Sequence, residues 1–411
     1  MSITRGPDHT EKACIDGWNI VHNLLDISKQ KAIQPIYSNN IIMLYNGEIY
    51  SPTSNTCDTY NIIPLYQQYG CSFVKHIVGE YAIVIVDNNI NKMYLYADIF
   101  ATKPLFYSVN DVNISVASYA SELCLLGCNN IQRVMHSTYI EIHLDNNNIT
   151  THNYHSFNLD EYKTDYKDCI AALENALTVR CNDKVAVGLS SGHDSGSILL
   201  HSILHSNINN VFYHVTNGRE DNNVMKQRYT LCDENNILYK IIDYYKSTNI
   251  MDSIELQKLA IQMEEFQYFY NENSMCQISK MLSNIKRDGI NIFITGQGAD
   301  EIMTNYKHYN FYKHLNLKQQ FPWNNFYSGK NRKFIDEFEY IGGVYGVEVR
   351  YPFLDKHFVQ EWLNLDNTLK CNEFKSILTH YMQSNNFPIN VSKVGMGILN
   401  NRYFQSKDIY C

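Results

Sequence analysis

The sequence predicts two domains, an antiparallel α+β unit followed by an α/β unit with a parallel sheet. Three observations carry that expectation. The chain has 411 residues, enough for two separate cores. Its first part reads as short β-type runs split by Asn and Asp turns, whereas beyond about residue 160 strands alternate with helical stretches. Within that second part, VAVGL (185–189) opens directly into a loop of small residues and then a helix-like segment.

In the first part the β-type runs are NNIIMLYNGEIYS (39–51), EYAIVIVDNNINKMYLYAD (80–98), KPLFYSVNDVNISVASY (103–119) and STYIEIHLDNNNITTHNYH (137–155). TYNIIPLYQQYG (59–70) reads as a helix between them. The polar stretch FNLDEYKTDYK (157–167) carries the expected boundary, dividing residues 1–158 from 159–411. After it come an amphipathic helix in DCIAALENALTVRC (168–181) and the strands NVFYHVT (210–216), YKIIDYY (239–245) and NIFITG (291–296).

Composition narrows the function. The formal net charge is −8 and no basic run stands out, which argues against nucleic acid as a main ligand. No apolar run reaches membrane-spanning length, and MSITRGPDHTEK at the start has neither signal nor transit character. A cytoplasmic protein with no membrane partner is expected. The eleven cysteines are scattered and are expected as reduced thiols, since the Cys124/Cys128 spacing matches no zinc pattern.

The loop Ser190-Ser191-Gly192-His193-Asp194-Ser195 is where chemistry enters. A kinase-type phosphate loop carries a Lys-Ser/Thr pair, but here Asp194 stands among small residues. A carboxylate beside phosphates makes sense with magnesium between them, so Asp194 is a candidate metal ligand. Ser190, Ser195 and backbone N–H groups would then form an oxyanion cradle. The same residues also read as an ordinary strand–helix turn with a capping Asp. FITGQGADEIMTNY (293–306) repeats the strand and glycine loop, and its Asp300 can approach the same metal, because loops at the carboxyl ends of parallel strands share one crevice. GVYGVEVRYPFLDKHF (343–358), with Glu348, Arg350 and Asp355, reads mainly as a strand entering a packed turn.

His201 and His205 have metal-pair spacing, but a helix face with two neutral histidines is the plainer account. Glu264-Glu265 read as a solvated acidic pair or as groups facing a substrate amine. The neighbouring Phe266, Tyr268, Phe269 and Tyr270 read as pocket lining or core.

LSSGHDS, TGQGADE and GVEVRYPFLD, in that order and spacing, resemble the synthetase domain of the asparagine synthetase family. The family's usual forms are S-G-G-x-D-S, G-E-G-x-D-E and G-x-E-x-R-x-P-F-L-D. KSILTHYMQSNNFPINVSKVGMG (375–397) resembles the family's end and places Lys375 and Lys393 at its lysine positions, with Thr379 and Val391 where arginines usually stand. The resemblance implies a parallel sheet of the ATP pyrophosphatase, adenine nucleotide α-hydrolase-like type. It also implies ATP and Mg2+ as cofactors. A substrate carboxylate would attack the α-phosphate, pyrophosphate would leave, and an amine would capture the acyl-adenylate. Asp194 and Asp300 would hold magnesium, Lys375 and Lys393 would be catalytic, and Leu189, Val215 and Gly296 would frame adenine and ribose. Ser190, Ser191, Gly192, His193, Ser195, Thr295 and Gln297 would complete the nucleotide-binding set.

Upstream, RGPD (5–8), YNGEIY (45–50), GEYAIVIVD (79–87), KPLFY (103–107) and ASEL (120–123) resemble the family's glutaminase domain. That domain works through an N-terminal cysteine. Here Ser2 stands at position 2, RGPD follows at residue 5, and the nearest thiol, Cys14, is expected in a polar loop. Leu24 occupies the place of an arginine for the glutamine carboxylate, whereas Asn46-Gly47 and Asp58 survive. A truncated, inactive glutaminase-like scaffold is therefore expected. Gln297 replaces the middle Glu of G-E-G-x-D-E, a second departure, and it cannot accept a proton. By likeness to β-lactam synthetase, Glu339 becomes a candidate base, though it also reads as a helix surface acid.

The function expected is an amide-forming ligase that joins a small-molecule or peptide carboxylate to an amine not taken from glutamine. An ammonia-dependent asparagine synthetase and a non-catalytic nucleotide-binding homologue are the alternatives. Oligomeric state is left open, a homo-oligomer included.

Overall fold

The computed structural model describes residues 2–27, 30–53, 57–181, 184–205, 209–216, 220–243, 273–304 and 317–389. The chain opens with a hairpin of β1 (His9–Ile15) and β2 (Trp18–Leu24). Its turn is Asp16-Gly17, both with positive φ, the dipeptide that favours a tight two-residue hairpin. Cys14 therefore lies in a strand opposite Asn19, not in a polar loop. The Asp-Gly signal for that strand was present in the sequence.

A six-stranded antiparallel sheet follows in the order β11-β10-β6-β5-β4-β3, where β3 is Ile36–Ser38, β4 Ile41–Ser51, β5 Val78–Asp87, β6 Lys92–Ala97, β10 Thr138–His143 and β11 Ile149–Asn153. A smaller sheet joins β7 (Phe106–Val109) to β8 (Ile114–Ala117) and β9 (Gln132–Arg133). Strands β5 and β6 are buried almost throughout, because layers pack on both faces of the sheet. The expected helix appears as Ile62–Tyr69.

The second half is a five-stranded parallel sheet, β14-β13-β12-β15-β16, made of β12 (Val185–Gly188), β13 (Asn210–Thr216), β14 (Leu238–Asp243), β15 (Ile292–Ile294) and β16 (Glu348–Arg350). Every pairing in it is parallel. In chain order the sheet reads third, second, first, fourth, fifth, so its topology reverses between β12 and β15. A crevice opens at the carboxyl ends of strands on either side of such a reversal. The loops carrying Asp194 and Asp300 leave these two strands.

Buried charge joins the halves. Arg180, at the end of the helix Lys167–Arg180, donates to Glu80 of β5 at 2.8 Å and to Asp355 at 3.1 Å. Arg350 reaches Glu48 of β4 at 3.2 Å. Phe100 and Phe157 from the first half pack against Phe326 of the second, the Phe157 ring edge-on. Among the described residues no helix is long and apolar enough to cross a membrane, and none of the ten cysteines described forms a disulfide.

Candidate active site

The site is built from the two strand ends upward. β12 is fully apolar and buried through Val187, then hands over to Leu189, whose N–H is fixed on Tyr213 O of β13 at 2.8 Å. The loop then turns through Ser190–Gly192 into the helix His193–Leu204. Ser190 and Ser195 close it from within. Their hydroxyls lie 2.8 Å apart, Ser190 N–H donates to Ser195 Oγ at 3.0 Å, and Gly192 N–H donates to Ser190 Oγ at 3.2 Å. Two of the N–H groups expected to cradle an anion thus already have partners inside the loop.

Ser191 has a separate task. Its N–H donates to the Glu220 carboxylate at 2.6 Å, and its hydroxyl accepts from Asp221 N–H at 3.2 Å. The side chain that replaces the usual glycine ties the loop to the start of the helix Asn222–Glu234, and a carboxylate of the chain itself sits on a loop N–H. His193 contributes no charge. It packs edge-on against Phe374, and burial, with Lys375 and Arg228 nearby, pushes its pKa down to about 3.

β15 delivers the second loop. Thr295 N–H donates to Arg350 O at 3.1 Å and Gln297 N–H to Thr295 Oγ1 at 3.2 Å. A Cβ at Gly296 would lie 2.7 Å from Asp194 Cβ, so glycine there lets the two loops touch. Gly298, at φ +98, begins the short helix Ala299–Ile302 and donates its N–H to Glu301 Oε2 at 3.1 Å. Asp300 and Glu301 follow. Burial, then the neighbouring Asp300 charge, pushes the Glu301 carboxyl up to about 7.

Lys375 brings the two aspartates together. Its ammonium donates to Asp194 Oδ1 and lies 3.1 Å from Asp300 Oδ1. Only 4% of the side chain is exposed, and the flanking carboxylates hold its pKa above the usual lysine range against the cost of burial. The structure thus places Asp194, Asp300 and Lys375 in one cluster, with Gly296 at the contact.

Arg228 is a residue of the site that motif reading missed. It is fully buried and its guanidinium lies under the first loop, donating to the carbonyls of Ser190, Gly192 (2.9 Å) and Pro388 (3.0 Å). Burial pulls its pKa down to about 10. A signal existed in NNVMKQRYTLC, where Val224, Met225, Arg228 and Cys232 share one helical face, so the arginine interrupts an apolar stripe.

Other expected residues fall elsewhere. Glu339 is neither a surface acid nor a free base. It is buried on the helix Gly329–Tyr345, paired with Arg5 and with Lys103 at 2.8 Å, and accepts from Tyr351 OH at 3.1 Å. Those cations hold its pKa below the usual value despite burial, which leaves a poor proton acceptor at neutral pH. His201 is buried against Thr178 Oγ1 at 3.2 Å, and burial lowers its pKa to about 3. Val215 lies near the carboxyl end of β13. Thr379, at a missing arginine position, donates to Phe374 O at 2.7 Å. Lys393, Val391, Glu264-Glu265 and the aromatic run 266–270 lie outside the described residues.

Two residues singled out in the first half are also described. Asp58 accepts from Tyr45 OH at 2.5 Å, Ile49 N–H at 2.9 Å and Thr59 N–H at 2.8 Å. Gly47, at φ +144, lies where a Cβ would collide with Glu80 O.

Among the described residues no group of three or more His, Cys, Asp or Glu side chains forms a metal cage. Two carboxylates do suit magnesium, whose remaining ligands in phosphoryl-transfer sites are phosphates and water. The Lys375 ammonium between them is a stand-in for such a cation, and the residues fit the ion.

A glutamine amidotransferase domain family matches residues 2–167. A Methanocaldococcus jannaschii protein carrying the asparagine synthetase name is 25% identical over 91% of this chain and 74% of its own length. Asparagine synthetase [glutamine-hydrolyzing] 2 of Arabidopsis thaliana is 23% identical over 88% of this chain and 66% of its own. An NH3-dependent NAD synthetase structure from Campylobacter jejuni aligns over 57% of this chain and 100% of that one at 15% identity. Its TM-score is 0.24, a likeness too slight to add to what the sheet itself shows. The chain spans 64–74% of the length of the relatives that match it along most of its own. Matched domain and parallel sheet together define a chain with an amidotransferase-type half joined to a loop-bearing α/β half. Along most of its length the chain is similar to asparagine synthetases.

Proposed function

We propose that the protein is an ATP-dependent ligase that adenylates a carboxylate and transfers the acyl group to an amine it does not obtain from glutamine. The convergence of Asp194, Asp300 and Lys375 at the topological reversal of the parallel sheet carries this reading. Magnesium, held by Asp194 and Asp300, would supply the positive charge that a leaving pyrophosphate needs. This chain's residues do the rest. The touching loops fix the two carboxylates on one side of the crevice, and Arg228 braces the first loop from beneath. Lys375, with Lys393 from outside the described residues, offers cationic charge to the phosphates or to an oxyanion.

The carboxylate oxygen forms a bond to the α-phosphorus as pyrophosphate leaves. The amine nitrogen then bonds to the acyl carbon, loses a proton and expels AMP. Two features support an amine from another source than glutamine. Leu24 stands where an arginine is expected, and the Asp58 carboxylate is engaged by Tyr45, Ile49 and Thr59. A mass-spectrometric screen of metabolite pools for AMP formation tests the reading. At least one acid–amine pair is expected to yield AMP with the wild type and none with Asp194→Ala or Asp300→Ala. Asparagine made from aspartate and ammonium would narrow the function to ammonia-dependent asparagine synthesis. AMP formation that survives both substitutions would overturn the site.

A further inference from the structure

Between Asp194 and Asp300 the cation position is held by the chain's own lysine. Lys375 reaches it from the residue just before the helix Ser376–Ser384, in a left-handed backbone conformation with φ +46. A non-glycine residue takes that conformation at a cost, and it persists where the surroundings over-determine it. Here the surroundings are two carboxylates from two different loops, with the Phe374 ring centroid 5.6 Å from the ammonium. One ammonium meets both carboxylates, and it occupies the position between them.

We propose that Lys375 is a resident counter-cation that excludes free divalent metal from the Asp194–Asp300 pair, so that metal enters only with the phosphates of a nucleotide. A divalent ion arriving alone must either sit against the ammonium or displace a buried charge from the two carboxylates that hold it. A metal–polyphosphate complex removes that obstacle, because a phosphate oxygen gives the displaced ammonium a new partner. The site is therefore filled in one event. Lys375 acts as a positioning residue for metal entry, whatever it later contributes to transfer. This inference rests on the nucleotide reading above and adds an order of binding to it.

Mn2+, read by electron paramagnetic resonance as the free ion, tests the proposal on the full chain without nucleotide. Wild type and Lys375→Arg are expected to leave Mn2+ free. Lys375→Met, confirmed as folded by circular dichroism, is expected to take up one Mn2+ about ten-fold more tightly or better, because the position between the carboxylates is then vacated by the ammonium. Adding Asp300→Asn to Lys375→Met should abolish that uptake. In thermal melts Mn2+ alone should leave the wild type unchanged while MnATP raises its Tm. Free Mn2+ uptake by the wild type as tight as by Lys375→Met overturns the proposal, and tight uptake by the wild type does so even if the variant fails to fold. If wild type takes up MnATP but shows no difference from Lys375→Met toward free Mn2+, the lysine proposal alone falls. If neither protein takes up MnATP, the nucleotide reading falls with it.

Discussion

At the scale of single residues, the site concentrates charge that burial keeps out of balance. Glu301 is 1% exposed and sits beside Asp300, and its carboxyl is pushed up to about 7. A carboxyl whose folded pKa lies above its unfolded one is favoured while protonated, and that stability is lost as pH rises from about 4.5 through about 7. Glu301→Gln keeps an acceptor for Gly298 N–H and removes the charge. It should therefore raise Tm at pH 8.5 and leave it unchanged at pH 4, as read by scanning calorimetry. An equal shift at both values would mean that the carboxyl does not titrate in this range. Ser191 shows what a motif alone leaves unsaid. The strand, small-residue loop and helix start were legible, but the hydroxyl's use depends on Glu220 and Asp221, some thirty residues on, which only the fold brings alongside.

At the scale of elements, the helix Asn222–Glu234 braces the Ser190–Gly192 loop through one side chain. Replacing Arg228 with Met would leave three part-buried carbonyls without this donor and should destabilise the protein by ~2–4 kcal/mol in urea unfolding. A loss below ~0.5 kcal/mol, the level of an ordinary surface substitution, would show that the carbonyls find other partners. Strands β12, β13 and β15 were legible because buried parallel strands are short apolar runs bounded by turn residues. The β1–β2 hairpin was not read, since its faces alternate without a strongly apolar side. Glu339 was misjudged for the opposite reason. Its helix spacing is that of a surface acid, and the cations that bury it, Arg5 and Lys103, come from the other half of the chain, at separations of 334 and 236 residues.

At the scale of the whole molecule, the two halves share buried charge pairs and an aromatic contact, so they are expected to unfold together. Arg180→Met would strand Glu80 and Asp355 and should cost ~3–5 kcal/mol while keeping a single transition. Two separate transitions in the wild type would contradict the shared interface. Acid should also weaken the fold. His193 and His201 are buried neutral, with pKa values of about 3, so stability is full above about 6.5 and falls below it by up to about 1.4 kcal/mol per pH unit for each. Urea midpoints at pH 7.5 and pH 5 measure this directly, and equal midpoints would contradict it. The central claim is that the Asp194–Asp300–Lys375 cluster activates a carboxylate by adenylation, and ATP–pyrophosphate exchange reads that step without knowledge of the amine. Exchange that depends on one carboxylic acid, needs a divalent metal and disappears in Asp194→Ala and Asp300→Ala is the result this structure predicts. Exchange that persists in both variants would contradict it.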